Sequence, residues 1–271
     1  MKTIIWNMQH KSSNWDVLDR NDELQEADIS LLCEASPAPI GVDAVGSDRT
    51  IGLEEPLLPD KPVDRPWSAV VTSRHPIRAI EDARVDRSYG EKLPFTPSRP
   101  GTWAAALIDV DGVPVTAISI YGLMDERSDA SVHRSLSELS PIFDHEVYGK
   151  RLLLGGDLNI LAGRPPRERP DRSQVVFDRI EAYGLVDCLK KMRPHGALEG
   201  CKCGLGEECT HTWTKKVTPD AGHPNVPYQD DYLFASRAMG DRLETCKALP
   251  FDDDPTSDHT PIVATFNLST N

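Results

Sequence analysis

One stretch, Leu152-Leu153-Leu154-Gly155-Gly156-Asp157-Leu158-Asn159-Ile160, restricts the folds open to this chain more than any other. A short Leu-rich run ends abruptly in two glycines, an acid and an amide. Bounded by turn residues in this way, the run fits a strand covered on both faces. The glycines allow the backbone to bend tightly and to approach a ligand. Asp157 and Asn159 are two positions apart and point the same way from an extended strand. A carboxylate beside an amide at a sheet edge suits a metal ion, a water or a phosphate oxygen. A strand followed by an Asx turn accounts for the same residues.

The chain has 271 residues, of which 39% are hydrophobic and 27% charged, an ordinary globular composition. No apolar run reaches the roughly 20 residues that a membrane helix needs. The N-terminal MKTIIWNMQ goes straight into a strand-like run and leaves no room for a signal peptide, so a cytoplasmic protein is expected. The formal net charge is −13, the wrong sign for the basic footprint of a duplex-binding protein. The acidity also fits clustered carboxylates that bind divalent cations. Arginines concentrate at Arg164, Arg167, Arg169 and Arg172, directly after the opening strand. That segment reads either as a solvated Pro/Arg loop or as a loop that grips phosphates.

Apolar runs predict strands at Thr3–Trp6, Ile29–Cys33, Ser68–Thr72, Trp103–Val110, Val113–Tyr121, Arg151–Gly155, Thr210–Thr214, Tyr232–Ser236, Glu244–Leu249 and Ile262–Phe266. Asp111-Gly112 suits a two-residue hairpin turn. Helical spacing predicts helices over Asn14–Arg20, Ala130–Val147 and Ser173–Tyr183, the last capped by Asp171 or Ser173 and ended by Gly184. Pro37–Arg65 and Arg84–Gly101 read as irregular loop. Strands and helices mix without a composition shift, which predicts a single α/β domain over 1–271.

Polar residues recur at the margins of these strands. Asn7 ends the first, Glu34 follows Leu-Leu-Cys, and Tyr121-Gly122 closes Val113–Ile120. Asp230-Asp231 introduce Tyr232–Ser236, and Ser257-Asp258-His259 introduce the last strand. Any one is explained as a cap or turn; together they suit convergence on one rim of a sheet. The order WNMQ, LLCE, SIYG, LLLGGDLN, QDDYLFAS, SDHTPIVATF resembles the endonuclease/exonuclease/phosphatase superfamily, which includes exonuclease III, abasic-site endonucleases, deoxyribonuclease I, sphingomyelinases and inositol polyphosphate phosphatases. The resemblance runs from Ile4 to Phe266. It implies a four-layer α/β sandwich, two mixed β-sheets flanked by helices, with the site where strand ends meet.

The resemblance also implies roles. Glu34 and Asp258 are the expected Mg²⁺ or Mn²⁺ carboxylates, with Asn7 near the metal. Asp157 would orient or activate the attacking water, and Asn159 would hold it or a phosphate oxygen. Asp231 would orient the catalytic His259, and Tyr121 would contact the scissile phosphate. Asp230 is read as a bystander. The implied activity is divalent-metal-dependent phosphodiester hydrolysis by a nuclease acting on DNA or RNA. Phosphomonoester or phospholipid hydrolysis is the alternative, and a non-catalytic binding module a third reading. A histidine is usual at the Tyr121 position in the deoxyribonuclease I-like and phosphatase-like branches, so tyrosine favours the exonuclease III-like side. The chemistry is coherent on its own terms. A Lewis acid neutralises charge on phosphate oxygens, and a carboxylate beside a histidine fixes its tautomer and raises its pKa.

A second cluster lies in an insertion at about 195–212. Cys201, Cys203, Cys209 and His211 fall within eleven positions, among Gly200, Gly204 and Gly206. Three thiolates and an imidazole fit a closed structural zinc site; a disulfide and coincidence are the alternatives. Cys33, Cys188 and Cys246 read as core, His195 as a possible substitute ligand, and His223 has no assigned role. A nucleic acid is the expected partner, with no obligate protein partner evident.

Overall fold

A computed structural model describes residues 1–46, 68–83, 95–124, 128–161, 172–193, 201, 205–216, 227–251 and 256–269. The chain opens with β1 (Lys2–Asn7), α1 (Ser13–Arg20), β2 (Ile29–Cys33), β3 (Ala44–Gly46), β4 (Val70–Ser73), β5 (Ile77–Ala79), β6 (Trp103–Val110) and β7 (Val113–Ile120). Then follow α2 (Ser128–Phe143), β8 (Leu152–Asp157), α3 (Arg172–Ala182), β9 (Leu185–Asp187) and α4 (Cys188–Met192). The chain ends with β10 (Lys215–Lys216), β11 (Pro227–Tyr228), β12 (Asp231–Ser236), α5 (Arg237–Gly240), β13 (Leu243–Ala248) and β14 (Ile262–Phe266).

Two mixed six-stranded sheets form, in the orders β13-β14-β1-β2-β4-β3 and β5-β6-β7-β8-β12-β9. Alternation along each strand explains the layering. Ile5, Leu31, Leu153 and Leu233 point into the core between the sheets. Their neighbours Leu152, Leu154, Tyr232 and Phe234 face outward, where Val132, Leu136 and Leu139 of α2 and Val176 and Ile180 of α3 cover them. On the other sheet, Ile4, Trp6 and Leu32 face Trp15 of α1. The result is the expected sandwich of helix, sheet, sheet and helix. It explains why the central strands read as continuous apolar runs: both faces are buried. Among the described residues no helix is long and apolar enough to cross a membrane.

Several local expectations shift. The Asp111-Gly112 hairpin forms as expected, with φ of 52° and 84°, and Val110 faces Val113. The helix expected to reach Val147 stops at Phe143. Pro141 removes a backbone donor from its last turn, and His145 Nδ1 accepts the N–H groups of Val147 (3.1 Å) and Tyr148 (3.3 Å), closing a turn instead. Thr210–Thr214 is not a strand, despite its alternating threonines. Its bonds are scattered and form no regular ladder: Thr212 N donates to Gln229 Oε1 (2.9 Å), Thr214 N to Tyr228 O (2.9 Å), and Thr214 Oγ1 accepts from the N–H groups of Asp230 and Asp231. Pairing resumes only at Lys215–Lys216. Within the stretch read as irregular, Ala44–Gly46 pairs with β4 as a three-residue edge strand.

The two glycines of the opening stretch also act differently from expectation. What they approach is the protein itself. A Cβ on Gly155 would lie 2.9 Å from Ile5 Cγ1 and 3.0 Å from Leu31 Cδ1, in the facing sheet. One on Gly156 would lie 2.0 Å from Ile120 O and 2.8 Å from Cys33 Sγ. Only glycine permits this closeness. It lets Cys33 Sγ donate to Ile120 O (3.1 Å) and accept from Asp157 N (3.4 Å), tying both sheets together beneath Asp157.

Candidate active site

Topology gathers the polar strand ends. β1 and β2 run parallel, as do β7 and β8, so Asn7, Glu34, Tyr121 and Asp157 emerge at strand C-termini. β12 is antiparallel to β8 with Asp231 opposite Asp157, and β14 is antiparallel to β1. Their N-terminal ends therefore return Asp231 and Asp258-His259 to the same rim.

Hydrogen bonds link most of these side chains into one network. His259 Nδ1 donates to Asp231 Oδ2 at 2.7 Å, which leaves Nε2 facing Asp157 Oδ2 (3.7 Å) and Asp258 Oδ1 (3.8 Å). Asn7 Nδ2 donates to Asp157 Oδ2 (2.8 Å) and Glu34 Oε1 (3.2 Å). Tyr121 OH donates to the same Glu34 oxygen at 2.7 Å. Asn159 N donates to Asp157 Oδ1 at 2.8 Å, closing an Asx turn with φ of 51° at Asn159. Its amide Nδ2 donates to Gly122 O (2.8 Å) and Asp157 Oδ2 (3.3 Å). The turn reading and the site reading of Leu152–Ile160 are thus both true. Backbone clamps finish the rim: Ser257 Oγ donates to Asn7 O, His259 N to Ser257 Oγ, and Trp6 Nε1 to His259 O.

Asn7, Asp157, Asp231 and His259 are buried, while Glu34, Asn159 and Asp258 are half-buried. Burial works to raise the Glu34 pKa, but bonds from His10, Tyr121 and Asn7 outweigh it and hold the carboxyl at about 2. Burial pushes Asp157 up, and Asp231 and Asp230 add to that against the pull of His259 and Lys215. Burial alone would lower His259; Asp231 and Asp157 reverse this and raise it to about 9. Asp231 keeps one buried oxygen, Oδ1, without a hydrogen-bond partner.

Two contributors, His10 and Lys215, were not singled out in the sequence. His10 Nε2 sits 2.8 Å from Glu34 Oε2, placed by a turn in which Gln9 and His10 both take positive φ. Lys215 Nζ pairs with Asp230 Oδ2 at 3.4 Å and lies in the field of Asp157, Asp230, Asp258 and Asp231. Asp230, read as a bystander to the chemistry, is tied into the rim structurally: its carbonyl also accepts from Leu158 N. The adjacent pair Lys215-Lys216, in so acidic a chain, is the one cue that pointed there. Among the described residues, four of the six non-glycine positive-φ positions (Gln9, His10, Glu34, Asn159) belong to this rim. Backbone strain concentrates at functional sites.

A second cluster forms away from the acids. Cys201 Sγ and Cys209 Sγ are 3.7 Å apart, and His211 Nδ1 lies 3.4 Å from the first and 3.6 Å from the second. Cys209 and His211 are buried and Cys201 half-buried. Cys203, His195, His223 and residues 164–171 of the arginine-rich segment lie outside the described residues. Arg172 opens α3 and pairs with Asp129 at 2.6 Å. Cys33, Cys188 and Cys246 are buried, as expected of core residues, although Cys33 lies against polar groups beneath the rim.

No protein-family model matches the sequence, and no curated protein is significantly similar to it. Solved structures do match along nearly the whole chain. The endonuclease domain of TRAS1, a telomere-specific non-LTR retrotransposon, aligns with a TM-score of 0.63 at 15% identity over 99% of both chains. The AP endonuclease LMAP from Leishmania major gives 0.62 at 13%, over 97% of this chain and 86% of its own. An endonuclease/exonuclease/phosphatase from Beutenbergia cavernae gives 0.57 at 19%, over 97% and 70%. The chain shares the fold of these structures.

Proposed function

We propose that this protein is a divalent-metal-dependent phosphodiester hydrolase, a nuclease whose substrate is DNA, built as one catalytic domain over residues 1–271. The observation that carries the reading is the buried line Asp231–His259–Asp157, at 2.7 and 3.7 Å, with Asn7 bonded to its open end and, by the same amide, to Glu34. The similar structures named as endonucleases supply the substrate class. The donor set fits Mg²⁺ or Mn²⁺: Glu34 is ionised, Asp258 is half-buried at the same rim next to His259, and both offer hard oxygen ligands. When bound, the cation supplies Lewis-acid neutralisation of phosphate charge.

The chain's own groups account for the rest. Asp157, fixed by donors from Asn7 and Asn159, is aimed to orient water and take its proton. His259, locked in orientation by Asp231, presents Nε2 as a donor toward the nonbridging oxygens of the pentavalent phosphorus. Tyr121 and Asn159 lie at the edge where a phosphate would enter, and Asn7 holds Asp157 to Glu34. A structural zinc ion at Cys201, Cys209 and His211, with Cys203 as the fourth ligand, belongs to the same reading. So does a reducing, cytoplasmic setting that keeps those thiols available.

Purified protein is tested on single- and double-stranded DNA, abasic DNA and RNA with Mg²⁺, Mn²⁺ or EDTA. Cleavage of DNA with either cation and none in EDTA is expected; no cleavage of any nucleic acid overturns the nuclease reading. The net charge of −13 favours one alternative, hydrolysis of small or lipid phosphoesters, and phosphate release from such substrates alone would establish it.

A further inference from the structure

Residues 211–216 belong to two structures at once. At one end His211 joins Cys201 and Cys209. A tetrahedral zinc with Zn–S of about 2.3 Å and Zn–N of about 2.0–2.1 Å sets its sulfurs about 3.8 Å apart and sulfur from nitrogen about 3.6 Å. The observed separations of 3.7, 3.4 and 3.6 Å match those edges. Hydrogen-bonded thiols need no such triangle, and the first distance is far beyond a disulfide.

At the other end the same segment carries both halves of the catalytic pair. Thr214 Oγ1 accepts from Asp230 N and Asp231 N, each at 3.1 Å. Thr214 O accepts from Thr260 N and Lys216 N donates to Asp258 O, each at 2.8 Å. Lys215 also bridges backbone to backbone with His259. Only Thr212 and Trp213 separate His211 from Thr214. Apart from the two-residue β10 and the single bridge of Lys215 with His259, this segment has no ladder to hold it, and ordering each such residue costs backbone entropy. An ion that fixes His211 removes much of that freedom before the catalytic groups are engaged.

We propose that zinc held by Cys201, Cys209 and His211 is a clamp on the catalytic rim: by pinning His211 it fixes Thr214 and Lys216, and through them the placement of Asp231 against His259. The inference rests on the hydrolase reading only for its activity readout. His211 and Thr214 are positioning residues in this scheme, and neither touches the reacting atoms.

The test begins with elemental analysis of dialysed full-length protein, where about one zinc per chain is expected. Zinc is then stripped with a chelator that leaves excess Mg²⁺ free, and amide hydrogen exchange is followed. Exchange at Lys216, Asp230, Asp231 and Thr260 should quicken by about tenfold or more, while β1, β2, β7 and β8 stay protected, because local opening is reported segment by segment. Zinc, and not further Mg²⁺, should restore slow exchange. DNA cleavage should fall at least about tenfold in kcat, with less change in KM, and recover with zinc, as when a positioned group loses its geometry. Cys209→Ser should copy the stripped protein. Absence of zinc, or another metal in its place, overturns the site. Zinc loss that leaves those four amides protected overturns the clamp, as does uniform unfolding of every strand. Should Cys209→Ser fail to fold, the stripped wild-type protein decides. If the wild-type protein cleaves nothing, the hydrolase reading fails while the exchange result still decides the clamp.

Discussion

The catalytic rim and the Cys/His cluster are assembled by opposite means. The rim draws on residues from Asn7 to His259, and no two of its strands are joined by a short turn. Sheet order brings them together: parallel β1/β2 and β7/β8 send C-terminal ends one way, and antiparallel β12 and β14 return N-terminal ends to meet them. The cluster draws on Cys201, Cys209 and His211, a local loop with one turn of 3₁₀ helix at Gly206–Glu208. Geometry in the rim is inherited from a large core. Geometry in the loop has little core behind it and depends on what the ligands hold. Damage to packing should therefore reach the rim's chemistry, and damage to loop conformation should reach it only where the hold on His211 is lost.

The largest expected effect tests whether the rim acts as a unit. His259→Ala should lower kcat by about 10²–10⁴-fold, the usual worth of a positioned acid or base. Asp231→Asn keeps the shape but loses the carboxylate that holds Nδ1, and it should fall in the same range. The double variant should be hardly worse than His259→Ala, because residues acting through one another are non-additive. Thermal unfolding of each single variant should change little beside the loss of rate. Additive losses would show that Asp231 acts separately from His259.

Next is Gly156→Ala, at the base of the rim. The added methyl would meet Ile120 O at 2.0 Å, a backbone atom that moves only if β7 moves. Overpacking of this kind costs about 1–3 kcal/mol or more, and denaturant unfolding should show it. Because the shift would pass to Asp157 and Tyr121, kcat should fall too. Destabilisation with unchanged kcat would separate packing from chemistry and break the link drawn here.

These two sites also show what was legible in the sequence. Asn7, Glu34, Asp157, Asp231 and His259 were visible because a polar residue at the margin of an apolar run is conspicuous, and strand margins are where sheets expose side chains. The glycines were visible but assigned to a ligand, since no single segment reveals the sheet that faces it. His10 lies in a turn and Lys215 in a two-residue strand, both too short for a period, and only sheet topology sets them against Glu34 and Asp230. Three-residue strands such as Ile77–Ala79 and Leu185–Asp187 are too short to show alternation. The Cys/His cluster was legible for the opposite reason: its members are neighbours in the chain, so residue type alone marked it.

A smaller effect comes from Asp28, in the loop before β2 and remote from both regions. It accepts from Lys2 N (2.7 Å), Arg74 Nε (2.7 Å) and His75 Nε2 (2.8 Å). Burial raises its pKa, but these donors outweigh burial and the net shift is downward from 3.8. A group depressed on folding stabilises above its unfolded pKa and loses that stabilisation as pH falls through its folded pKa. Asp28→Asn should cost about 1–2 kcal/mol at neutral pH, discounted because Arg74 is half-exposed, and should flatten the decline of stability below pH about 4. An unaltered acid limb would remove Asp28 from the balance. Catalysis should be untouched, since no bond described here connects it to the rim.

The smallest expected effect sets the loop directly against Gly156. Gly206 opens the short helical turn between Cys201 and Cys209 with φ of 55°, and among the described residues nothing lies within 4 Å of a Cβ placed there. Alanine meets no steric obstacle, so the cost is that of a left-handed residue alone, about 1–2 kcal/mol. Part of that is offset because alanine narrows the unfolded ensemble by about 0.4–1 kcal/mol. Unfolding free energy should fall by under about 1 kcal/mol, and kcat should not change. The same substitution, glycine to alanine at positive φ, thus separates the two modes of assembly. At Gly156 the obstruction is the facing backbone and the cost reaches the acids; at Gly206 the strain stays in the loop. Loss of activity in Gly206→Ala without loss of zinc would mean that loop shape reaches the rim by a route other than His211.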